Sequence, residues 1–418
     1  MALKLDGAIN KIYVGTTEVS KAYLGLDQVY PDAPNPNFET RWLIPSNSFA
    51  IDLPLISTGV YSGTIDWGDG TISILSYANR THTYTTAGNY TVSISGSCPY
   101  FQFSQTATSR DYITQILNWG SVGFVQIDFR DCSELIGGSS VQDLCVISGT
   151  SMESMFWNCE KLVSINKIEQ WDVSGIQNFE LTFYDCILFN QNLTGWNTQN
   201  AKTFESFLRG CSSYNQPLDS FNLSICTTTE MMFLDCTVFN QPLNSWNMGN
   251  VLNTKNMFND ALVFDQDLSN WNLSLNVDFS IMFQDTLFDQ DITNWNTSSA
   301  TDMRKMFQKN SDFNQDISSW DVSGVTDMTD MFQQSYGFDQ DLSSWDLSSI
   351  TTMQQFMGFK TPADFSASNC DALYLACVNG GQLNVVLGMG TIKRTVTGTG
   401  YYNTLISRGW TVTDGGQI

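Results

Sequence analysis

The sequence predicts a mainly β protein: a parallel solenoid of about eight 25-residue coils with short helical turns, preceded by a small β-sandwich. Three observations predict it. The residues Trp171, Trp196, Phe221, Trp246, Trp271, Trp295, Trp320 and Trp345 follow one another at 25 residues, with one step of 24. A second aromatic register, from Phe189 to Phe338, runs in step. Each of its members is followed by Asn or Asp and then by Gln: Gln191, Gln216, Gln241, Gln266, Gln290, Gln315 and Gln340. The acid of the chain is Asp rather than Glu, and no Glu follows Glu230. Glu favours helix whereas Asp favours caps and turns, so the excess points to a turn-rich chain.

A 25-residue unit cannot bury its apolar face alone, but stacked neighbours can. Within a unit, the Leu/Ile-Ser-x-Trp-Asp segment suits a short strand, and Met-x-x-Met-Phe suits one helical or 3₁₀ turn. The Asn/Asp-Gln step suits a turn. Five regions follow in order. Residues 1–34 hold a small duplication, Lys11-Ile-Tyr-Val-Gly15 and Lys21-Ala-Tyr-Leu-Gly25, which reads as short strands in an anchoring module. A Pro/Asn linker spans 31–37. Residues 35–105 alternate polar and apolar and read as the sandwich. Residues 106–151 read as irregular coils leading into the repeats. The repeats cover 152–358, and 359–418 read as a cap, with a short helix in 366–387 and strands in 391–414.

Composition excludes several functions. The 418 residues carry 42 acidic and 19 basic side chains, a net charge of −23. That disfavours nucleic acid, whose phosphates need Lys and Arg, and docking on anionic lipid. No apolar run is long enough to span a bilayer, so no membrane insertion is expected. The start, MALKLDGAIN, lacks the apolar core of a signal peptide. Ten Cys are too sparse for a disulfide scaffold.

One aromatic per coil at fixed register is the pattern of an interior, so Trp171, Trp196, Trp246, Trp271, Trp295, Trp320 and Trp345 are assigned to the core rather than to an exposed sugar platform. The Gln register is assigned to amides bonding from coil to coil. Cys132, Cys159, Cys186, Cys211 and Cys236 form a ladder that gives way to Ala261, Thr286, Asn310 and Ser335, as a buried small position would. The candidate ligand-binding residues are the acidic ladder Asp265, Asp267, Asp289, Asp291, Asp316, Asp339 and Asp341. Rows of hard carboxylate oxygens could hold Ca²⁺; a solvated, turn-forming face is the competing account. No other cofactor, no resident metal and no catalytic residue is assigned, and no enzyme is expected. His82 is the only His and has no evident catalytic partner.

The repeat closely resembles the bacterial-surface 25-residue repeat of mycoplasma lipoproteins, a relative of the BspA-like leucine-rich repeats. Residues 313–332, FNQDISSWDVSGVTDMTDMF, are nearly a consensus copy. The resemblance implies a leucine-rich-repeat-like solenoid on surface-exposed proteins, with adhesion as its role. Asp66-Trp-Gly-Asp-Gly-Thr71 and His82-Thr-Tyr-Thr-Thr-Ala-Gly-Asn-Tyr-Thr-Val92 resemble a PKD-type domain, which implies an extracellular spacer or binding module. The N-terminal tandem and the ending LISRGWTVTDGG look like those of tailed-phage virion proteins. Together these imply a non-enzymatic structural or adhesion protein of a virion: a tail fibre, receptor-binding or capsid-decoration protein. Its expected partners are other virion proteins, through residues 1–34, a host-surface glycan or protein, and a second copy of itself. A bacterial cell-surface adhesin is the alternative, and a polysaccharide depolymerase is a third, from a different class.

Overall fold

A computed structural model describes residues 35–105, 108–138 and 144–418, together with the backbone of five short segments before them. Those segments are β1 (Leu3–Leu5), β2 (Ile12–Val14), β3 (Thr17–Val19), β4 (Tyr23–Leu24) and β5 (Asp27–Gln28). The first three pair antiparallel in the order β1-β2-β3, and β4 pairs with β5. The Pro/Asn linker before residue 35, residues 106–107 and 139–143 of the lead-in coils, and the side chains assigned to anchoring lie outside the described residues.

The next unit is built on an open five-stranded antiparallel sheet in the order β13-β6-β11-β8-β9. Its strands are β6 (Phe38–Ile44), β8 (Ser62–Asp66), β9 (Ile72–Ile74), β11 (Gly88–Ser97) and β13 (Ile113–Asn118). Strand β6 shows why: Phe38, Thr40, Trp42 and Ile44 alternate inward with Arg41 and Leu43 outward, the two-residue period of a half-buried strand. A separate pair, β7 (Phe49–Asp52) and β10 (Thr81–Tyr84), lies against it. There His82 stacks on Trp67 at 4.7 Å, and the Tyr84 hydroxyl donates to the Trp67 carbonyl at 2.9 Å. The edge strand β13 comes from the segment read as lead-in coil. Two parallel pairs of three-residue strands follow elsewhere, β12 (Tyr100–Gln102) with β14 (Gln126–Asp128), and β15 (Val386–Gly388) with β16 (Thr411–Thr413).

The expected parallel leucine-rich-repeat solenoid with helical turns, and the sandwich before it, are not what the chain forms. The protein is mainly β in small, mostly antiparallel, unclosed sheets, with two α-helices among the described residues, α1 (Ala367–Gly380) and α2 (Val396–Ser407). Between 148 and 358 no strand and no α-helix occurs among the described residues. The sole regular element there is a 3₁₀ turn at Ile168–Gln170, which takes up the two extra residues of the first unit. Parallel pairing is reduced to one isolated bridge per repeat, Ser151–Asn178–Thr203–Thr228–Asn253–Asp278–Asp302–Asp327–Thr352.

The backbone explains this. In each Met-x-x-Met-Phe-x-x stretch two residues sit at positive φ, for example Asn256 and Asp260, or Ile281 and Asp285. A residue in that region ends both an extended run and a right-handed helical turn. Each instead closes a turn whose N–H points at the neighbouring repeat: Met231 N donates to Lys255 O and Asp235 N to Asn259 O, at 2.9 and 3.0 Å. The Leu/Ile-Ser-x-Trp-Asp segment is likewise folded back, with Trp246 N on Leu243 O at 3.1 Å.

Of the strands expected in 391–414, β16 forms, but 396–407 is helix. Thr and Tyr suggest β, but Thr395 caps a helix by accepting from the amides of Thr397 and Gly398. Gly398 lets that helix meet α1 closely, since a Cβ there would lie 1.8 Å from Asp371 Oδ1.

One continuous buried cluster runs from Phe38 to Trp410. The ring register from Phe189 to Phe338 lies within it, and Tyr214 is its exception. Its hydroxyl is buried without a hydrogen-bond partner among the described residues, and burial pushes its pKa well up. An unmet buried hydroxyl costs roughly 1–3 kcal/mol. Tyr214→Phe, the residue of the neighbouring repeats, is therefore expected to raise the denaturation midpoint; a midpoint lowered by the change would contradict this packing.

Candidate binding faces

The tryptophans are interior. Trp171, Trp196, Trp246, Trp271, Trp295, Trp320 and Trp345 are all buried, and neighbours such as Trp246 and Trp271 stack at 6.2 Å. Each indole from Trp196 on, Phe221 aside, donates Nε1 to the Leu or Ile carbonyl of the preceding repeat, as Trp271 does to Leu243 O at 2.9 Å. Trp171 opens the series, and its Nε1 has no hydrogen-bond partner among the described residues.

The Gln register forms a ladder, though not of amide on amide. The Asn240 side-chain oxygen accepts both the Asp265 amide at 3.0 Å and Gln266 Nε2 at 2.9 Å. The same double acceptance joins Asn190 to Gln216, Asn215 to Gln241, Asp265 to Gln290, Asp289 to Gln315 and Asn314 to Gln340. Gln191 instead grips both backbone groups of Ile165. The ladder ends at Asp339, which accepts the Ser366 amide and Asn369 Nδ2 at the start of α1. Asp265, Asp289 and Asp339 thus serve as single-oxygen acceptors that Asn replaces in other repeats. Asn240→Asp is expected to be tolerated. Asn240→Leu strands two partly buried N–H groups and is expected to cost about 1–3 kcal/mol, read from urea denaturation of both variants. Equal effects would count against the ladder.

The other four candidates lie on a different column. Asp267, Asp291, Asp316 and Asp341 each accept the backbone N–H two residues on, from Ser269, Thr293, Ser318 and Ser343. A second column, from Asp172 through Asn222 and Asn272 to Asp346, makes the same turn just after the Trp register. Hydroxyl and then amide hydrogen bonds from Ser174, Ser318 and Ser323 hold Asp172, Asp316 and Asp321 below the usual carboxylate range, and the Thr293 amide and hydroxyl do the same for Asp291. The structure therefore divides the seven candidates between a column of acceptors for the next segment, Asp265, Asp289 and Asp339, and a column of turn acceptors, Asp267, Asp291, Asp316 and Asp341. Among the described residues no group of three or more His, Cys, Asp or Glu is placed to hold a metal ion.

The Cys ladder is a set of buried free thiols. Cys186, Cys211 and Cys236 each donate Sγ to a carbonyl of the preceding repeat, at 2.9–3.0 Å. The same register ends in Lys360, whose buried Nζ donates to the carbonyls of Ser335 and Phe338 at 2.6 and 2.5 Å.

Two columns escaped the sequence reading. Glu153, Glu180, Glu205 and Glu230 stand at the same repeat position, followed by Lys255, which pairs with Glu230 at 3.8 Å. Burial and then the neighbouring glutamates raise the pKa of Glu180 and Glu205. Beside them runs a cation–aromatic column: Arg130 lies 3.5 Å over the Trp157 ring, Trp157 and Tyr184 are 5.3 Å apart, and Arg209 lies 4.9 Å from Tyr184. The signal was the recurrence of Glu at steps of 27, 25 and 25.

No curated protein and no solved structure matches the chain. One family does, described as "Mycoplasma protein of unknown function, DUF285", over residues 150–271 and again over 262–369. The two matches together span more than half of the chain and coincide with the ladders described above, and the chain belongs to that family.

Proposed function

We propose that the protein is a non-catalytic attachment protein of a tailed-phage particle, binding a host surface or a neighbouring virion protein through its repeats. The observation that supports this most is the one-per-repeat recurrence of exposed groups. Ile187, Leu188, Val238, Leu262, Val263 and Leu287 are exposed apolar groups ahead of the ring register, in a row interrupted by Ser212 and Ser213. The turn-bound carboxylates of Asp267, Asp291, Asp316 and Asp341 form an anionic column. Rows of equivalent groups suit many weak contacts acting together, and exposed apolar rows of this kind mark interaction surfaces. In this reading the segment before residue 35 anchors the chain, and the PKD-like sheet unit is a spacer. Calcium on the acidic column would be a ligand of this face rather than of a catalytic centre.

Adsorption of particles to host cells, with Fab fragments saturating the repeats, tests the proposal. Blocked adsorption is expected; unchanged adsorption at full occupancy would overturn the receptor role. A bacterial cell-surface adhesin is the second reading, favoured by the family's Mycoplasma description. Mass spectrometry of purified particles against cell envelopes separates the two. Oligosaccharide release from host capsule, lost on Asp316→Asn, would replace both with a depolymerase.

A further inference from the structure

A 610 Å³ cleft lies between the sheet unit and the first repeat, away from the acidic ladder. Its floor follows from strand pairing. Strands β12 and β14 run parallel with Tyr100 opposite Gln126 and Gln102 opposite Asp128. The two-residue period sends Phe101 and Ile127 into the core, and Gln102, Gln126 and Asp128 into the cleft. Arg130 and Glu153 continue the lining on the repeat side, and Ile56 and Tyr77 face them from the sheet unit.

Most of these groups are held in place. Asp128 accepts the Ser104 amide at 2.9 Å and its hydroxyl at 2.7 Å. Arg130 is pinned over Trp157. Glu153 accepts Asn178 Nδ2 at 3.2 Å with one oxygen, leaving the other open. Gln102 is different. It is only 6% exposed, it opens into the cleft, and its amide makes no hydrogen bond among the described residues. Its amide is left for solvent or a ligand to meet, and it faces a space of ligand size.

We propose that this cleft binds a neutral saccharide of one or two rings, its hydroxyls met by the Gln102 and Gln126 amides and the open Glu153 oxygen. An amide donates to and accepts from hydroxyls, and a carboxylate accepts from them. Two carboxylates face one guanidinium, which disfavours an acidic sugar. Arg80 lies 4.0 Å over one face of the Tyr77 ring at the cleft's edge. The inference does not rest on the attachment reading, since a particle could adsorb through its repeats with this cleft empty.

The test is calorimetry and ligand-observed NMR on the full chain, with glucose, galactose, mannose, N-acetylglucosamine, lactose and maltose as probes and glucuronate as the acidic control. At least one neutral sugar is expected to bind in preference to glucuronate. Gln102→Leu is expected to weaken it about tenfold or more without lowering the melting temperature. Gln126→Ala, at a less buried position, is a second variant should the first fail to fold. The proposal is overturned if no neutral probe binds, if glucuronate binds more tightly, or if neither variant changes the affinity.

Discussion

Trp271→Ala is expected to destabilise the repeats by about 3–5 kcal/mol, the usual cost of emptying a large aromatic site. Trp271 is 3% exposed and is held between Trp246 at 6.2 Å and Trp295 at 6.3 Å. Trp271→Phe should cost far less, roughly 1 kcal/mol for one lost hydrogen bond. Two observations set that contrast. Phe221 already occupies the register and stacks on Trp196 at 6.4 Å. The Leu243 carbonyl would still accept the Trp246 amide, so no acceptor is orphaned. Because each repeat contacts only its neighbours, local loss can separate the stack into two transitions. Chemical denaturation followed by tryptophan fluorescence and circular dichroism reads both outcomes. An alanine variant within 1 kcal/mol of the parent, or a phenylalanine variant as damaged as alanine, would contradict the interior role.

The second large effect belongs to Lys360, and it depends on pH. Burial lowers its pKa from 10.5 to about 7 in the folded chain. Between about pH 7 and pH 10.5 the unfolded chain therefore holds a proton that the folded chain has released. Stability rises with pH across that window, by up to about 1.4 kcal/mol per unit, and the cost of the buried ammonium is fully present below it. Lys360→Met keeps the length of the side chain and removes the titration. Relative to the parent it should be most favourable at pH 6. The advantage should shrink steadily towards pH 10, where the neutral amine still donates to Ser335 O and Phe338 O and methionine cannot. Taking the difference between the two proteins cancels the carboxylates they share. Denaturation midpoints at pH 6, 8 and 10 supply the check, and a difference that does not vary with pH would show that Lys360 does not titrate in this way.

How much of this was visible in the residues depends on which interaction carries each position. The Trp and Phe/Tyr registers recur because each fills the same interior space, and recurrence is what a sequence displays best. The Gln register was legible as a ladder, but its partner was not. Only geometry shows that the Asn or Asp just before each Gln receives the amide of the next repeat, which makes Asp265, Asp289 and Asp339 acceptors first and charges second. The backbone was misread for a physical reason. Leu, Trp and Ile suggest strands, yet Asp267 and its equivalents bend the chain through their own amide hydrogen bonds. Residues such as Ile281 take positive φ without a glycine to announce it. Lys360 was hidden because it departs from its register: only alignment with Ser335, 25 residues earlier, exposes it as a cation in a position elsewhere filled by Cys, Ala, Thr, Asn or Ser. The cleft was hidden because Gln102 and Glu153 come from different units.

The central claim is that the repeats, though nearly free of regular secondary structure, are locked in register by the Asn/Asp–Gln ladder. Native-state hydrogen exchange of the ladder amides tests it most directly. The amides of Asn215, Asn240, Asp265, Asp289, Asn314 and Asp339 are each bonded to the preceding repeat. They should exchange only through openings that approach the global unfolding free energy. Exchange of these amides at the rate of solvent-exposed turns, with the parent protein folded, would contradict it.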